Sequence, residues 1–228
     1  MQQIELELEG GGVLTVSLRA SLDAMPAVKQ RTLVLVVPGG GYNHVSPREG
    51  DPVALQFAAA GYHTAVLTYS VGEGAQNYRP LRQLNEALAL LRQNAGEWHI
   101  LPDKIAVCGF SAGGHLALSG AVLDIPGETA QQRPNAVILG YPVITAGEFA
   151  HRGSFIRLAG SEDAAAQQAF TLEDKVNSDT PPVFVWHTME DKTVPVENTL
   201  LLLAALRRAG VPCEAHLFEK GAHGTSIS

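Results

Sequence analysis

Cysteine, charged residues and aromatic residues are all scarce in this sequence, and the first shortage excludes a disulfide scaffold. The 228 residues include only 2 cysteines, Cys108 and Cys213. They lie far apart in the chain and lack the close spacing of a metal-binding pair. Both fall in apolar, strand-like stretches, so we expect two buried, reduced thiols.

The low charge and its sign exclude further classes of protein. Charged residues make up 17% of the chain, and 16 Lys and Arg against 23 Asp and Glu leave a net charge of −7. Beyond Arg207-Arg208 there is no cluster of basic residues. Nucleic acid and anionic membranes are therefore not expected as partners.

Long apolar segments are also missing. No stretch is long enough to span a bilayer. The first twelve residues, 1–12, have neither the basic start nor the apolar run of a secretory signal. The sequence therefore predicts a cytoplasmic protein.

Hydrophobic residues are abundant, at 46%, and their arrangement predicts an α/β fold. Ile4, Leu6 and Leu8 alternate with glutamates, and a second strand-like stretch begins at Val13 after three glycines, which indicates an antiparallel hairpin at a sheet edge. Six fully apolar runs then alternate with helical patterns, as is typical of a parallel sheet covered on both faces. The apolar runs are Leu33–Val37, Thr64–Leu67, Ile105–Cys108, Ala136–Leu139, Val183–Trp186 and Ala215–Phe218, and the helical patterns are Pro52–Ala60, Leu81–Asn94, His115–Leu123 and Val196–Ala209.

These patterns predict one domain over residues 1–228, built on a mostly parallel central sheet of about eight strands with helices on both faces. Residues 147–180 are the one long stretch without a clear strand, and they carry a helix candidate at Glu162–Phe170. We interpret this stretch as a lid-like insertion over the end of the sheet.

A serine motif lies between a predicted strand and a predicted helix. Residues 109–114 read Gly-Phe-Ser-Ala-Gly-Gly, directly after an apolar run and directly before the helical pattern that begins at His115. Gly-x-Ser-x-Gly in that context predicts a nucleophile elbow, with Ser111 on a tight, strained turn at the carboxyl edge of the sheet. The alternative is a glycine-rich turn whose serine caps the helix.

Two later loops supply the acid and the base that such a serine needs. Asp191 follows the predicted strand Val183–Trp186, and His223 follows the last predicted strand. Because the carboxyl ends of parallel strands meet at one edge of a sheet, both side chains are expected beside Ser111. Glu190 is the alternative acid, and Asp191 is favoured because the Asp-x-x-Val-Pro spacing directs it back toward the sheet.

A glycine-rich loop follows the predicted strand Leu33–Val37. Its glycines can present bare N–H groups to a developing oxyanion, so Gly40, Gly41 and the N–H of Ala112 are predicted to form an oxyanion hole. A phosphate-binding loop is the rival interpretation. It is disfavoured because Gly-Lys-Ser/Thr and Gly-x-Gly-x-x-Gly are both missing.

Several further residues lie near this predicted edge. Tyr42 and Tyr141 are candidates for lining a substrate pocket, whereas His115 is interpreted as a packed helix histidine. Arg48 and Glu49 are expected to brace the glycine loop through an ion pair. The remaining histidines show no metal-ligand spacing, so neither a metal site nor a cofactor is predicted.

Five blocks of the sequence resemble the bacterial α/β-hydrolase esterases. Within that group the chain looks like the acetylxylan and feruloyl esterase-like branch, which is related to hormone-sensitive-lipase-type enzymes, and the resemblance extends over nearly the whole chain from Arg31. It implies the α/β-hydrolase fold, a triad of Ser111, Asp191 and His223, and an oxyanion hole of Gly40, Gly41 and Ala112. The five blocks are residues 38–42, 48–52, 109–115, 186–198 and 221–224.

The chain departs from the family pattern in two places. Pro38 stands where relatives often have histidine, which changes how the glycine loop is braced but keeps its N–H donors. Relatives usually carry a helix after the catalytic histidine, whereas only residues 224–228 follow His223. We expect either that another chain covers the exposed sheet face, which leaves a homo-oligomer open, or that the loop holding His223 is less firmly fixed than usual.

Together these features predict a serine carboxylesterase that cleaves short, acetyl-type esters through an acyl-enzyme intermediate. An acetylated sugar or xylo-oligosaccharide as the small-molecule substrate is implied by the resemblance alone. Two alternatives stay open. One is a peptidase or amidase on the same fold, and the other is a ligand-binding homologue that has lost turnover.

Overall fold

The fold is built around one mixed β-sheet. The computed structural model describes residues 1–20, 29–129 and 131–227, and within them the sheet has eight strands in the order β1-β2-β4-β3-β5-β6-β7-β8. The β1–β2 and β2–β4 pairs are antiparallel and all other neighbours are parallel. The strands are β1 Gln2–Leu8, β2 Gly12–Leu18, β3 Arg31–Val37, β4 His63–Thr68, β5 Ile100–Phe110, β6 Ala136–Gly140, β7 Val183–Thr188 and β8 Cys213–Phe218.

Helices cover both faces of this sheet. Alternate residues of β3 belong to two separate apolar clusters, since Leu33 and Leu35 lie in one and Val34 and Val36 in the other. The helices α2, α3 and α6 contribute leucines to the first cluster, and α1 contributes Val53 to the second. The helices are α1 Asp51–Ala59, α2 Arg79–Gln93, α3 Ala112–Val122, α4 Arg152–Ala159, α5 Ala164–Gln168 and α6 Glu197–Ala209.

This architecture confirms the predicted mostly parallel sheet with helices on both faces. Burial explains the apolar runs, because β3 and the inner residues of β5 are covered on both sides and need no polar alternation. The edge hairpin shows the alternation expected of a strand with one covered face, most clearly in β2. Within the described residues, no helix combines the length and the apolar character required to cross a bilayer.

The last strand differs from expectation. Every residue of β8 is exposed, and β8 ends the sheet, where it pairs only with β7. Cys213 is therefore an exposed thiol and the prediction of burial is wrong for it, whereas Cys108 on the interior strand β5 is buried as predicted. Burial raises the pKa of the Cys108 thiol to about 12.

The region between β6 and β7 contains more structure than the sequence pattern indicates. Its helix candidate at Glu162–Phe170 shortens to α5, which begins after Asp163, whose side chain accepts a hydrogen bond from the N–H of Ala166. A second helix, α4, lies before it and had no clear periodic signal. Both helices lie within residues 147–180, the predicted insertion.

The close approach of α3 to the sheet leads to a prediction about stability. A Cβ atom on Gly113 would lie 2.1 Å from the carbonyl oxygen of Val37, a backbone atom that cannot move aside. Gly113→Ala should therefore lower the free energy of unfolding by about 1–3 kcal/mol, as overpacking does, in a urea titration. Gly96→Ala is the matched control, because an added Cβ there meets nothing within 4 Å. Equal stability of the two variants would contradict this close packing.

Candidate active site

The turn between β5 and α3 holds Ser111 in an unusual backbone conformation. Its φ is 53° and its ψ is −121°, which is strained for a residue with a side chain. Two hydrogen bonds hold the turn in this conformation. The N–H of Ser111 donates to the carbonyl of Gly140 at 3.0 Å, and the N–H of Val143 donates to the carbonyl of Ser111 at 3.1 Å. Glycine is required at position 109, where a Cβ would lie 2.2 Å from the carbonyl oxygen of Gly113. Ser111 is thereby fixed at the carboxyl edge of the sheet.

Three sequence-predicted residues meet at this edge in one hydrogen-bonded chain. The Oγ of Ser111 lies 2.8 Å from Nε2 of His223, and Nδ1 of His223 lies 2.6 Å from Oδ2 of Asp191. Glu190, the rival acid, is exposed to solvent, whereas Asp191 is buried. The structure therefore joins Ser111, His223 and Asp191 and leaves Glu190 outside the chain of hydrogen bonds.

Asp191 is held by hydrogen bonds on both carboxylate oxygens. Its Oδ1 accepts the N–H groups of Thr193 and Val194, each at 2.9 Å. Its Oδ2 accepts from His223 and also from Nε2 of His187 at 3.2 Å. Burial raises the pKa of Asp191, but the hydrogen bonds from His187, His223 and the N–H of Val194 outweigh it, so that the net pKa is lowered. The carboxylate therefore stays ionised.

His187 was not singled out by the sequence analysis. It lies in β7 directly after the apolar run, and its side chain is fully buried, at 0% exposure. A histidine that extends a buried strand four residues before a predicted acid was the available signal. The hydrogen-bond partners of its ring lie in the loop after β7 and on α6, and the local sequence pattern does not reveal them.

The loop that carries His223 is tied to the sheet on both sides of the histidine. The hydroxyl of Thr188 donates to the carbonyl of Gly221 at 2.7 Å, and the N–H of Ser226 donates to the Tyr141 hydroxyl at 2.9 Å. The Tyr141 ring also packs edge-on against the His223 imidazole, with centroids 4.8 Å apart. The expectation of a loosely fixed loop does not match these contacts.

The glycine loop after β3 lies directly against the serine turn. A Cβ on Gly39 would lie 3.0 Å from Cβ of Ser111. The next two glycines have positive φ, 124° for Gly40 and 63° for Gly41, and their N–H groups donate to no acceptor in the described part of the chain. Ala112 is the first residue of α3, where helical N–H groups lack partners within the helix.

The brace of this loop is a buried carboxylate. Oε2 of Glu49 accepts the N–H of Gly39 at 2.8 Å, and the Tyr69 hydroxyl donates to the carbonyl of Pro38 at 2.7 Å. Glu49 thus braces the loop as expected of it, but through hydrogen bonds rather than the predicted ion pair with Arg48. These contacts also show how a loop that begins with Pro38 is held.

The two tyrosines proposed as pocket residues are placed differently by the structure. Tyr42 and Tyr141 are each only 1% exposed, and neither lines the cavity at Ser111. The Tyr42 hydroxyl is hydrogen-bonded to Nδ1 of His115 at 2.9 Å, and the Tyr141 hydroxyl donates to Oε1 of Glu49 at 2.6 Å. Both rings can be buried because each hydroxyl has a buried hydrogen-bond partner.

His115 is a packed histidine, in agreement with its interpretation from sequence. Besides Tyr42, it contacts the carbonyl oxygen of Phe170 through Nε2 at 2.8 Å. Burial lowers the pKa of His115 to about 4. The ring is therefore neutral at pH 7 and ties residues 147–180 to α3.

The side chains that line the cavity above Ser111 are polar or charged. The cavity has a volume of about 440 Å³, and among the described residues no aliphatic, phenyl, phenol or indole side chain lines it. Two of its polar residues, His151 and Arg157, come from the region 147–180 and were not predicted from sequence. His151 is held by a 2.8 Å contact between its Nδ1 and Oγ of Ser154, and burial is the main cause that lowers its pKa. The polar side chains other than Ser111 and His223 include Asn43, His44, Arg48, His151, Arg157 and Thr193.

Metal ligands do not gather at this cavity. Over residues 1–20, 29–129 and 131–227, no group of three or more His, Cys, Asp or Glu side chains is arranged to hold a metal ion.

The fold and this site define a class of protein. An eight-stranded, mostly parallel sheet with a serine on the strained strand-to-helix turn at its carboxyl edge is the α/β-hydrolase fold. A family model, BD-FAE, matches residues 23–138. The chain belongs to that family, an acetylxylan-like branch of the α/β-hydrolase esterases.

Named relatives agree with this assignment. The chain is 36% identical over 215 residues to endo-1,4-beta-xylanase B of Butyrivibrio fibrisolvens, covering 87% of this chain and 33% of that protein. It is 32% identical over 198 residues to an acetylxylan esterase of Xylanibacter ruminicola, covering 84% of this chain and 40% of that protein. The chain thus spans well under half the length of these two relatives.

A solved structure is similar over most of both chains. It is the acetyl ester-xyloside bifunctional hydrolase from Caldicellulosiruptor lactoaceticus, with a TM-score of 0.85 and 38% identity, covering 95% of this chain and 80% of that one.

The Tyr141–Glu49 contact generates a prediction about stability rather than substrate binding. Tyr141→Phe leaves Oε1 of the buried Glu49 without its donor, so the free energy of unfolding should fall by about 1–3 kcal/mol in a urea titration. Tyr62→Phe is the control, because Tyr62 is 38% exposed and should change stability by less than about 0.5 kcal/mol. If Tyr141→Phe instead had native stability and a raised KM for esters, the Tyr141 hydroxyl would have to be assigned to substrate binding.

Proposed function

We propose that the protein is a serine carboxylesterase that removes acetyl groups from a hydroxylated alcohol. The observation that carries this proposal is the unbroken chain of hydrogen bonds from Oγ of Ser111 through both ring nitrogens of His223 to Asp191. Such a chain activates a hydroxyl, since the imidazole takes its proton and the buried carboxylate stabilises the imidazolium.

In the proposed first step, Oγ of Ser111 attacks the ester carbonyl carbon while Nε2 of His223 accepts the hydroxyl proton. The tetrahedral intermediate collapses when the alcohol leaves with that proton, and acetyl-Ser111 remains. Water then loses a proton to His223 and attacks the acyl carbon, and the second tetrahedral intermediate releases acetic acid as Oγ of Ser111 takes that proton back from His223. Asp191 stays ionised throughout, which its four hydrogen bonds favour.

The oxyanion is assigned to the glycine loop and the start of α3. Gly40 and Gly41 hold N–H groups with no partner in the described residues, beside a glycine that is packed against Ser111. The N–H of Ala112 begins α3, where the helix dipole also favours negative charge. These three N–H groups are the proposed donors to the developing oxyanion.

The substrate class is inferred from the cavity wall. A long acyl chain gains its binding energy from apolar contacts, at roughly 0.8 kcal/mol per buried methylene, and none of the described residues that line this wall has a hydrocarbon side chain. Its guanidinium, amide and imidazole groups are instead suited to hydroxyl groups. The names of two relatives, an acetylxylan esterase and an acetyl ester-xyloside hydrolase, further support an acetylated xylo-oligosaccharide as substrate.

The proposed roles can be tested with three variants and one aryl acetate. Ser111→Ala should lower kcat by about a millionfold and leave KM largely unchanged. Asp191→Asn should lower kcat by about 10⁴-fold through misorientation of the histidine. The neighbouring and exposed Glu190→Gln is the matched control and should stay within about threefold of native. If Ser111→Ala keeps a tenth of native kcat, or Glu190→Gln costs more than Asp191→Asn, the assignment is wrong.

The acyl preference can be measured with 4-nitrophenyl acetate, butyrate and octanoate, which share one leaving group. We expect kcat/KM to fall along this series, by at least about tenfold from acetate to octanoate, because a wall without hydrocarbon side chains among the described residues gives the added methylenes little apolar contact. Acetate release from acetylated xylo-oligosaccharides, with Ser111→Ala as the background, tests the alcohol. A rise in kcat/KM toward octanoate would indicate a lipase-like enzyme and contradict the proposed substrate class.

A further inference from the structure

His187 is a buried polar side chain that the proposed reaction does not yet use. It lies in β7, at the end of the strand from which the loop with Asp191 departs. Its side chain and that of Asp191 are both 0% exposed. A polar ring in such a position is costly unless each nitrogen has a partner, and both nitrogens of His187 have one.

The partners determine where the ring carries its proton. Nε2 lies 3.0 Å from the carbonyl oxygen of Val194 and 3.2 Å from Oδ2 of Asp191. Both atoms can only accept, so the proton must be on Nε2. Nδ1 lies 2.8 Å from Oγ1 of Thr199, a fully buried hydroxyl on α6 that can donate to it. The two acceptors therefore set the ring as an Nε2 donor, and Thr199 satisfies the opposite nitrogen.

Oδ2 of Asp191 is consequently shared by two histidines. His223 donates to it at 2.6 Å and His187 at 3.2 Å, while Oδ1 is filled by two main-chain N–H groups. We infer that His187 is a positioning residue for the reaction, which holds Oδ2 in line with His223 and restrains how strongly that oxygen attracts the His223 proton. This inference rests on the proposed function, because it assigns His223 as the base.

Two consequences follow from the loss of the His187 donor. Oδ2 is held by one hydrogen bond fewer, so the His223 ring is less accurately aligned with Ser111 and kcat falls. Oδ2 also becomes a stronger hydrogen-bond acceptor for His223. The protonated form of the His223 ring is therefore stabilised, and the acidic limb of the pH–rate profile moves to higher pH.

Other titratable groups surround the histidine whose protonation is measured. The Tyr141 ring packs on it, and Glu49 accepts the hydroxyl of that tyrosine. Across the cavity, His151 interacts electrostatically with His223, with Asp191 and with Arg157. Further charged groups near His223 include Arg48, which lies near Gly224, Glu190 and Lys192, which flank Asp191, and Lys220, three residues before His223. All are left unchanged when only position 187 is substituted.

A matched pair of amides separates the two sides of the His187 ring. His187→Gln extends an amide nitrogen about as far as Nε2 and can still donate to Asp191. His187→Asn reaches only about as far as Nδ1, so it can contact Thr199 but not Asp191. We expect His187→Asn to lower kcat for an aryl acetate by about 10- to 100-fold, with KM within about twofold and the acidic limb at higher pH. His187→Gln should stay within about fivefold of native, with an unshifted limb.

Thr199→Val is the control for general loosening of this buried region. It removes the hydroxyl on the Nδ1 side and leaves the donor to Asp191 in place, so the thermal midpoint should fall while the acidic limb stays native. Should His187→Asn fail to fold, His187→Met replaces it, since it fills the space and carries no donor. The inference would be overturned if His187→Gln and His187→Asn had the same kcat and the same acidic limb in the pH–rate profile. It would also be overturned if Thr199→Val moved that limb as far as His187→Asn does.

A second readout does not depend on ester cleavage. The titration of the His223 ring, followed by NMR in the Ser111→Ala background, should have a higher midpoint with His187→Asn than with His187→Gln. A native protein that cleaves no ester would overturn the proposed function, whereas identical His223 midpoints in the two variants would overturn the role of His187 alone.

Discussion

The buried carboxylate of Asp191 is the constraint on which the site depends. An ionised carboxylate without water is costly unless hydrogen bonds replace the water. Two main-chain N–H groups and two imidazoles do so here. Those donors come from β7, from the loop after it and from the loop after β8, so the carboxylate can be satisfied only when the carboxyl ends of these strands are correctly assembled. The same contacts orient His223 toward Ser111.

A second buried carboxylate stabilises the opposite side of the cavity. Glu49 is 3% exposed and accepts from Gly39 in the glycine loop and from the hydroxyl of Tyr141. Tyr141 links the two sides, because its ring packs on His223 and its hydroxyl accepts the N–H of Ser226. A tyrosine expected to contact substrate is thus the residue that couples the proposed oxyanion loop to the proposed base.

Local signals were sufficient for the sheet, the serine turn and the residues that follow strand ends, because each depends on hydrophobic period, glycine and strand order. They were insufficient where a side chain's partners are distant in sequence. His187 meets Thr199, 12 residues away, and Tyr42 meets His115, 73 residues away, and neither pairing has a sequence pattern. The exposure of Cys213 was missed for a related reason, since an apolar run does not reveal that its strand lies at the end of the sheet.

Residues 147–180 contribute His151 and Arg157 to the cavity wall and take no part in the hydrogen-bonded chain at Ser111. Their main chain is tied to α3 through His115 and Phe170 and to α6 through the side-chain amide of Asn198, which donates to the carbonyl of Phe149 at 2.9 Å. Contacts to buried partners make this wall a fixed part of the site. His151 and Arg157 project from this wall into the cavity, whereas Ser111, His223 and Asp191 are held by the sheet and by the loops that follow its strands. The wall is also coupled to the proposed catalytic residues, because His151 interacts electrostatically with His223 and Asp191 and Arg157 donates to the carbonyl of Gly41 at 3.5 Å.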